Sequence, residues 1–289
     1  MKKLLLVTLM AISLIACSKE NDGSVQVNTP EGTGIISLSV SPKIMVDGTR
    51  AQTNGVDLTQ ILDAEYLPES GDVFQLIITS DDPEISDVET TVASFNEKAK
   101  KTYFKAGQYV AVVKWGNPAN EGQNLPCFKD ATVVDVVART KSDVNMRPAL
   151  SNSIVKVEFS DAFKNYFANG AAITITSGNG NKWNVGYGIE NGNADNNEDG
   201  TTPYIFVESG KTVKVSGSAI KQCPSATVEP EEVTFSSVDK ALEACKVYVY
   251  KYDVTDAGSV TVQFTVTNDP EPEDIIEVGD FELNDDAIE

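Results

Sequence analysis

The sequence contains no histidine at all. This absence excludes Ser-His-Asp and Cys-His catalysis, and it also excludes every metal site that depends on an imidazole ligand. Carboxylate-pair chemistry stays open, but the 43 Asp and Glu residues are so abundant that no pair stands out. The sequence therefore predicts a protein that is not an enzyme, with a carboxylate-based glycan hydrolase as the alternative.

Positive charge is also scarce, with 23 Lys and Arg against 43 acidic residues and a formal net charge of -20. Such a surface repels phosphate backbones, so we expect no nucleic-acid partner. The hydrophobic content is 41% of 289 residues, which is enough for a true core and for two domains of ordinary size. Beyond the first 15 residues, no apolar run is long enough to span a bilayer as a helix.

Residues 1–17 have the pattern of a bacterial lipoprotein signal. Lys2 and Lys3 precede the apolar run Leu4 to Ile15, and Leu14-Ile15-Ala16-Cys17 matches a lipobox. We therefore expect Cys17 to carry acyl chains. These chains would anchor the protein to the outer membrane, because each methylene buried in the bilayer contributes about 0.8 kcal/mol to the free energy of anchoring. The alternative is an ordinary secretory signal with an incidental cysteine. The polar residues 18–32 form a tether, and their acidic start favours display on the cell exterior over periplasmic retention.

Three further cysteines follow, Cys127, Cys223 and Cys245. The exported compartment permits disulfides, and Cys223 and Cys245 are the nearest pair in sequence. These two could form a disulfide, and three buried free thiols are the alternative.

Short alternating segments separated by turn residues predict an all-β fold. We expect two antiparallel β-sandwich domains in series, immunoglobulin-like or transthyretin-like, over residues 33–150 and 151–267. Residues 268–289 are an acidic linker that could include a terminal strand. We expect short helices at residues 57–66, 162–167 and 237–244, the middle one capped by Ser160-Asp161. A tight turn at Gly107 separates two strands, and the strands around Ser209-Gly210 look like a hairpin. Strict alternation, as at Val247 and Val249, makes residues 246–254 and 259–267 the clearest strands of the second half.

Several segments together are similar to an uncharacterised family of two-domain Bacteroidetes lipoproteins. They are the lipobox with its acidic tether, Arg50-Ala51, the Ala106 to Val110 segment, the entry to the second domain at Asn152 to Phe163, and Gly279 to Leu283. The family resembles fimbrillin-type surface proteins in layout. This resemblance implies two β-sandwiches but no assigned activity.

The loop at residues 195–200 reads Asp-x-Asn-x-Asp-Gly, the first half of a calcium-binding loop. Asp195, Asn197 and Asp199 would be ligands, with Glu208 as the distal carboxylate because position twelve is Phe206. The alternative is a polar loop tip in which Asn and Asp favour turns. Calcium is the only cofactor that the sequence suggests.

Trp183, Tyr187 and Tyr204 could form a sugar-stacking surface, because aromatic rings offer flat apolar faces. The alternative for these side chains is ordinary core packing. Arg50 could be a processing point, as in fimbrillin-like subunits whose leading segment is removed so that a neighbour's strand replaces it.

These observations favour a surface-exposed lipoprotein that acts as a non-catalytic binding or adhesion module. The loops of the second domain, above all residues 178–200, would be its contact surface for a glycan or protein ligand. The alternative is a fimbria-like assembly subunit or accessory protein.

Overall fold

The computed structural model describes residues 25–46, 56–188, 194–198, 200–221, 231–255, 259–266 and 274–280. The strands of the first half are β1 (Val25–Gln26), β2 (Thr33–Val40), β3 (Met45–Val46), β4 (Val56–Asp57), β5 (Gln75–Ser80), β6 (Val88–Thr91), β7 (Phe104–Lys105), β8 (Gly107–Trp115), β9 (Gly122–Gln123), β10 (Phe128–Val136), β11 (Thr140–Met146) and β12 (Ala149–Leu150). The strands of the second half are β13 (Asn152–Phe159), β14 (Ala171–Thr176), β15 (Lys182–Tyr187), β16 (Ile205–Glu208), β17 (Thr212–Ile220), β18 (Glu232–Ala241), β19 (Val247–Val254), β20 (Ser259–Val266) and β21 (Asp274–Asp280). The helices are α1 (Val92–Lys98) and α2 (Asp161–Tyr166).

The first sandwich is built from two sheets with strand orders β1-β11-β2-β7 and β12-β10-β8-β5-β6. Their inward-facing side chains form one core because alternate residues of a strand point to the same face. Ile36 and Leu38 of β2 meet Leu76, Tyr109 and Val134 from the opposite sheet. The all-β fold expected from the sequence is confirmed.

The second sandwich has sheets with strand orders β21-β20-β19-β13-β16-β9 and β15-β14-β17-β18. Its core contains Val155 and Val157 of β13, Ile173 of β14 and Tyr250 of β19. A cluster of aromatic rings lies at one end, where Phe163 of α2 is fully buried. This helix position explains why a six-residue helix is stable, since its apolar side packs on the sheet.

At their junction, each sandwich contains residues from the other half of the chain. Strand β9 belongs to the first half of the chain but pairs with β16 of the second sandwich. In return, Ile154 and Phe206 of the second half pack into the first core. The amide of buried Asn152 joins the two halves further, since its oxygen accepts from the Cys127 backbone N–H at 2.8 Å and its nitrogen donates to the Leu125 carbonyl.

Each sandwich contains one pair of parallel strands, which alternation in the sequence did not indicate. Strand β2 runs parallel to β11, and β13 runs parallel to β19. In both cases an early strand of the sandwich pairs with a strand much later in the chain. A parallel pair needs such a long crossover, because its strands cannot be joined by a tight turn.

Two of the expected helices differ from the structure. Residues 57–66 form two separate 3₁₀ turns, Leu58–Gln60 and Ala64–Tyr66, rather than one helix. The helix expected at residues 237–244 is wrong, because β18 continues to Ala241. The predicted capping of the middle helix is confirmed, since the Ser160 hydroxyl accepts from the Phe163 backbone N–H at 3.0 Å.

Two expected hairpins are also wrong. Gly107 opens β8, but β7 pairs with β2 and β8 pairs with β5 and β10. Ser209-Gly210 connects β16 to β17, and these strands lie in different sheets of the second sandwich. A turn between two strands does not make them partners in a sandwich, because the chain can cross to the opposite sheet there. A terminal strand is present as β21, which pairs with β20.

Candidate functional site

A surface cavity of about 430 Å³ lies where the two sheets of the second sandwich separate, at the end of β13. Strand β13, helix α2, the end of β15 and the segment 200–202 surround it. The lining side chains on which its chemistry depends are Lys156, Glu158, Phe159, Lys164, Tyr187 and Thr202. Ammonium, carboxylate, hydroxyl and aromatic groups therefore converge on one concave surface, as they do in small-molecule sites.

One wall of the cavity is built around the Lys156 ammonium. It forms an ion pair with Glu158 at 3.0 Å, lies 4.6 Å from the centroid of the Tyr204 ring and donates to the Tyr204 hydroxyl at 3.4 Å. Burial opposes the charge on Lys156, but Glu158 and Tyr204 outweigh it, so the pKa of this ammonium is raised. The amine is thus held in place and held charged.

A second part of the lining is aromatic. Tyr187 meets Phe159 edge to face with ring centroids 5.1 Å apart, and Phe159 stacks on Phe163 at 5.4 Å. Burial raises the pKa of the Tyr187 phenol, so this hydroxyl stays protonated at physiological pH. Because Phe159 and Tyr187 are only half-buried, the cluster presents part of its apolar surface to the cavity.

The rim is supplied by α2 and by the segment 200–202. Lys164 is exposed on α2, and no residue in the described part of the chain forms an ion pair with it. Thr202 is fixed on the other side, since its hydroxyl donates to the Val157 carbonyl. The helix is fixed as well, because Ser160 caps it and also bonds to Asp253 at 2.5 Å. Both edges of the cavity are therefore supported by the fold.

The structure brings together only part of the predicted aromatic surface. Tyr187 lines the cavity, and Tyr204 contacts it through Lys156. Trp183 lies four residues before Tyr187 on β15, packs against the second core and approaches Gly122 of β9 instead. Sequence reasoning missed the lysines. Lys156 and Glu158 alternate with buried valines, so they read as an ordinary solvent-facing side of a strand.

The predicted calcium ligands are dispersed among other roles. The Asp195 carboxylate accepts from the Asn184 backbone N–H at 2.7 Å, and the Asn197 side chain donates to Thr201. Glu208 forms an ion pair with Lys211 at 2.8 Å. Asp199 lies outside the described residues. Among the residues that the structure does describe, no three His, Cys, Asp or Glu side chains are grouped to hold a metal ion, and calcium stays a prediction.

Asp195 and Asn196 instead cover the outer edge of β15. The Asp195 backbone N–H donates to the Asn184 carbonyl at 2.5 Å, and the Asn196 side-chain oxygen accepts from the Gly186 backbone N–H at 3.2 Å. The Asn196 amide group also donates to the Gly186 carbonyl. These groups replace the next strand, because they satisfy backbone donors and acceptors that the sheet leaves over.

Two carboxylates meet at the junction of the sandwiches, Glu121 and Glu208. Both accept from the Asn179 side-chain nitrogen, at 3.0 and 2.9 Å. Glu121 accepts further bonds from Ser177, Asn181 and the Glu208 backbone N–H. We call these five residues, with Glu121 at the centre, the Glu121 clasp. Lys211 and Asn179 hold the pKa of Glu208 below its ordinary range, which is the opposite of what a general acid needs.

Three other predicted residues, Cys17, Arg50 and Cys223, lie outside the described residues. The disulfide between Cys223 and Cys245 therefore stays a prediction. Cys245 is half-buried and has a positive φ of 59° in the turn before β19. Cys127 is buried, and burial raises the pKa of its thiol to about 11. Within the described ranges, no helix is long and apolar enough to cross a membrane.

The model of one protein family, described as "Domain of unknown function (DUF4493)", matches residues 32–279. No curated protein sequence matches the chain. The resemblance to an uncharacterised family, noted from the sequence, is confirmed by this match.

Several solved structures are similar in fold. A candidate cell adhesion protein from Bacteroides eggerthii shares 9% identity with a TM-score of 0.41, over 84% of this chain and 97% of that one. A candidate adhesin from Bacteroides ovatus shares 9% identity with a TM-score of 0.39, over 83% and 96%. A fimbrial protein from Bacteroides ovatus shares 11% identity with a TM-score of 0.30, over 86% and 57%. At these values the likeness concerns the fold alone.

Proposed function

The chain belongs to the DUF4493 family, and from this premise we propose that it is a lipid-anchored cell-surface protein that binds a carbohydrate without chemically altering it. The single observation that supports this proposal is the 430 Å³ cavity of the second sandwich. Its volume lies within the range of about 300–1,000 Å³ that is common for small-molecule sites. The half-buried faces of Phe159 and Tyr187 provide an apolar wall, and Lys156, Glu158 and Thr202 provide polar groups that suit sugar hydroxyls.

The non-catalytic part of the proposal is supported by the state of the carboxylates. Glu158 forms an ion pair with Lys156 at 3.0 Å, and among the described residues it is the one carboxylate that lines the cavity. Hydrolysis of a glycosidic bond needs two carboxyl groups that flank the bond. The pair Glu121 and Glu208 is saturated by donors at the junction instead.

A glycan array probed with the full chain tests the binding proposal. We expect binding to a defined set of glycans, and we expect Tyr187→Ala to reduce it at least about tenfold because it removes one wall of the cavity. The matched control is Trp183→Ala, which changes a half-buried aromatic on the same strand that does not line the cavity. Loss of binding in both variants, or no binding by the wild type, would count against the proposal.

The anchoring is tested separately. We expect metabolic labelling with a fatty acid to mark the wild-type chain and to leave Cys17→Ser unlabelled. Protease treatment of intact cells should degrade the protein if it faces the exterior. An unlabelled wild-type chain would contradict the anchor without bearing on the cavity.

A second candidate function, an assembly subunit, is supported by the position of β2. This strand precedes Arg50, lies between β11 and β7, and buries Ile36 and Leu38 in the first core. Cleavage at Arg50 would therefore release a central strand and leave a gap that a strand from a neighbour could occupy. We would then expect high-mass ladders in unboiled surface fractions that collapse on boiling. A monomer with an intact Arg50 bond would rule this function out.

A further inference from the structure

The net charge of the cavity lining is opposite in sign to the net charge of the protein. The whole chain carries a formal net charge of -20, yet among the described residues the charged side chains that line the cavity are two lysines, Lys156 and Lys164, and one glutamate, Glu158. The cavity is therefore a local positive site on an acidic protein. The negative field of the surrounding surface would repel anions in general. A positive pocket within that field therefore selects for anionic ligands that can reach the amines of Lys156 and Lys164.

The two lysines are not equivalent. Lys156 already has an anionic partner, since Glu158 lies 3.0 Å from it, and Tyr204 holds the same ammonium from the other side. Lys164 is exposed on α2, and the described residues supply no acid to pair with it. A bound anion would thus find Lys164 unoccupied, whereas Lys156 would offer only its remaining donor directions.

The aromatic wall restricts what else the ligand must be. Phe159 and Tyr187 offer apolar surface in the same lining as the lysines, so a small inorganic anion would leave most of the cavity unused. A sugar ring has an apolar face that covers an aromatic side chain and hydroxyls that suit Thr202 and Glu158. The volume of about 430 Å³ has room for about one or two such rings.

We infer that the cavity binds a saccharide that carries a carboxylate, with the sugar face against Phe159 and Tyr187 and the carboxylate toward Lys164. This inference rests on the proposed carbohydrate-binding function and specifies its ligand class. Lys164 determines specificity, since a neutral sugar can make every other contact.

Titration calorimetry with digalacturonate and its methyl ester tests the inference on the full chain. The two probes have the same rings and differ only at the carboxyl groups, which esterification makes neutral and extends by a methyl group. We expect digalacturonate to bind about fivefold tighter at low salt, which is the scale of one exposed ion pair. The difference should shrink at high salt because exposed charges are screened.

Variants separate the site from the general field. We expect Lys164→Gln to abolish the preference for digalacturonate, because it weakens binding of digalacturonate more than binding of the ester, and we expect Lys164→Arg to retain the preference. Lys214→Gln is the matched control, because Lys214 is exposed on β17 of the same sandwich and does not line the cavity. Both positions are on the surface, so each variant should fold.

The outcomes distinguish the inference from the function beneath it. If both probes bind equally well, or if Lys164→Gln keeps the preference, the inference is wrong and the carbohydrate-binding function stands. If neither probe binds but neutral glycans on the array do, the inference is wrong and the carbohydrate-binding function still stands. If no saccharide of either class binds, the inference and the proposed function fail together.

Discussion

The two sandwiches differ in how the outer edge of a strand is covered. Among the described residues of the first, β1 covers β11 only at Thr140 and Lys141. Beyond that point, a cleft of about 240 Å³ is lined by residues 132–135 of β10 and 142–145 of β11. In the second, Asp195 and Asn196 fill the outer edge of β15. Within the described part of the chain, one edge is therefore covered over two residues, and the other is closed by side chains.

An uncovered edge favours pairing with another chain unless charges prevent it. The first sandwich relies on such charges, since Asp143 of β11 is partly exposed and pairs with Lys141 at 2.5 Å. It also exposes Val133, whose side chain is 56% accessible in the middle of β10. The second sandwich needs no charges at β15, because its backbone groups are already bonded. Of the two edges, as far as the described residues show, the edge of β11 is the one with fewer partners.

The largest expected effect comes from the aromatic core of the second sandwich. Phe163→Ala should destabilise this sandwich by about 3–5 kcal/mol, because the ring is fully buried among Phe159, Phe167 and Tyr252. Urea unfolding can be followed for each sandwich by its own tryptophan, Trp115 in the first and Trp183 in the second, in single-tryptophan variants.

The expected result is a shift of the Trp183 transition that exceeds the shift of the Trp115 transition. Phe163→Leu is the control and should cost much less, since it keeps most of the buried volume. Equal shifts of both transitions would show that the sandwiches unfold as one unit even when one core is damaged.

The next largest effect comes from the Glu121 clasp, which joins the two sandwiches. Glu121→Ala removes the acceptor of four hydrogen bonds and should cost about 2 kcal/mol, since partly buried donors lose their partner. In the wild type we expect coincident Trp115 and Trp183 transitions, and in this variant we expect them to separate. Glu97→Ala, at an exposed position on α1, should leave them coincident. Coincidence in Glu121→Ala would show that β9, the Asn152 bonds and the shared core residues couple the sandwiches without the clasp.

A third change would make the closed edge resemble the open one. Asn196→Ala removes the bonds to the Gly186 carbonyl and N–H, so we expect a loss of about 1–2 kcal/mol in the second sandwich. We also expect more self-association in analytical ultracentrifugation, because the β15 edge becomes accessible. Asn165→Ala, exposed on α2, is the control. A monomeric Asn196→Ala chain would mean that the edge is protected by another element.

The fourth change would close the open edge with a charge. Val133→Lys should alter stability by no more than about 0.5 kcal/mol, because the side chain is exposed. It should lower self-association at high protein concentration, since an edge lysine opposes pairing. Val110→Lys is the matched control, because Val110 is also exposed, at 41%, but lies on the central strand β8. Equal effects of both variants would point to general charge rather than to the edge.

The smallest effect concerns pH. Lys211 and Asn179 lower the pKa of Glu208, so their interactions with the Glu208 carboxylate stabilise the fold at pH values above the ordinary pKa of a glutamate. That contribution is lost as the pH falls through the lowered value in the folded state. We therefore expect the two tryptophan transitions to begin to separate below about pH 4. Lys211→Gln should reduce this pH dependence, and an unchanged profile in that variant would remove Glu208 from the explanation.

Local patterns predicted some elements well. The alternation of Val247 and Val249 indicated β19, and Ser160 indicated the start of α2. The same method failed at residues 237–244 for a visible reason. The pairing of β17 with β18 shifts register there, so Phe235 and Val238 are both buried although they are three residues apart. A spacing of three imitates a helix, because a bulge resets the alternation.

The candidate site was predicted only in part. Tyr187 was singled out for its aromatic ring in a polar loop region, and it does line the cavity. Lys156, Glu158 and Lys164 were not, because an outward-facing charge on a strand or a helix looks the same whether or not another element crosses above it. The segment 200–202 and the end of β15 form the remaining walls, and their approach is a property of tertiary packing.

The sequence by itself determined the strand-rich class, the acidic surface, the absence of histidine chemistry and the positions of most strands, because these depend on composition and on a period of two along the chain. Only the tertiary structure decided which strands pair, that β2 and β13 have parallel partners, and that the predicted loop residues Asp195 and Asn196 close an edge. It also decided that two lysines and two aromatic rings share one cavity. The physical reason is that pairing and convergence join residues far apart in the chain, and alternation describes only the face on which each residue lies.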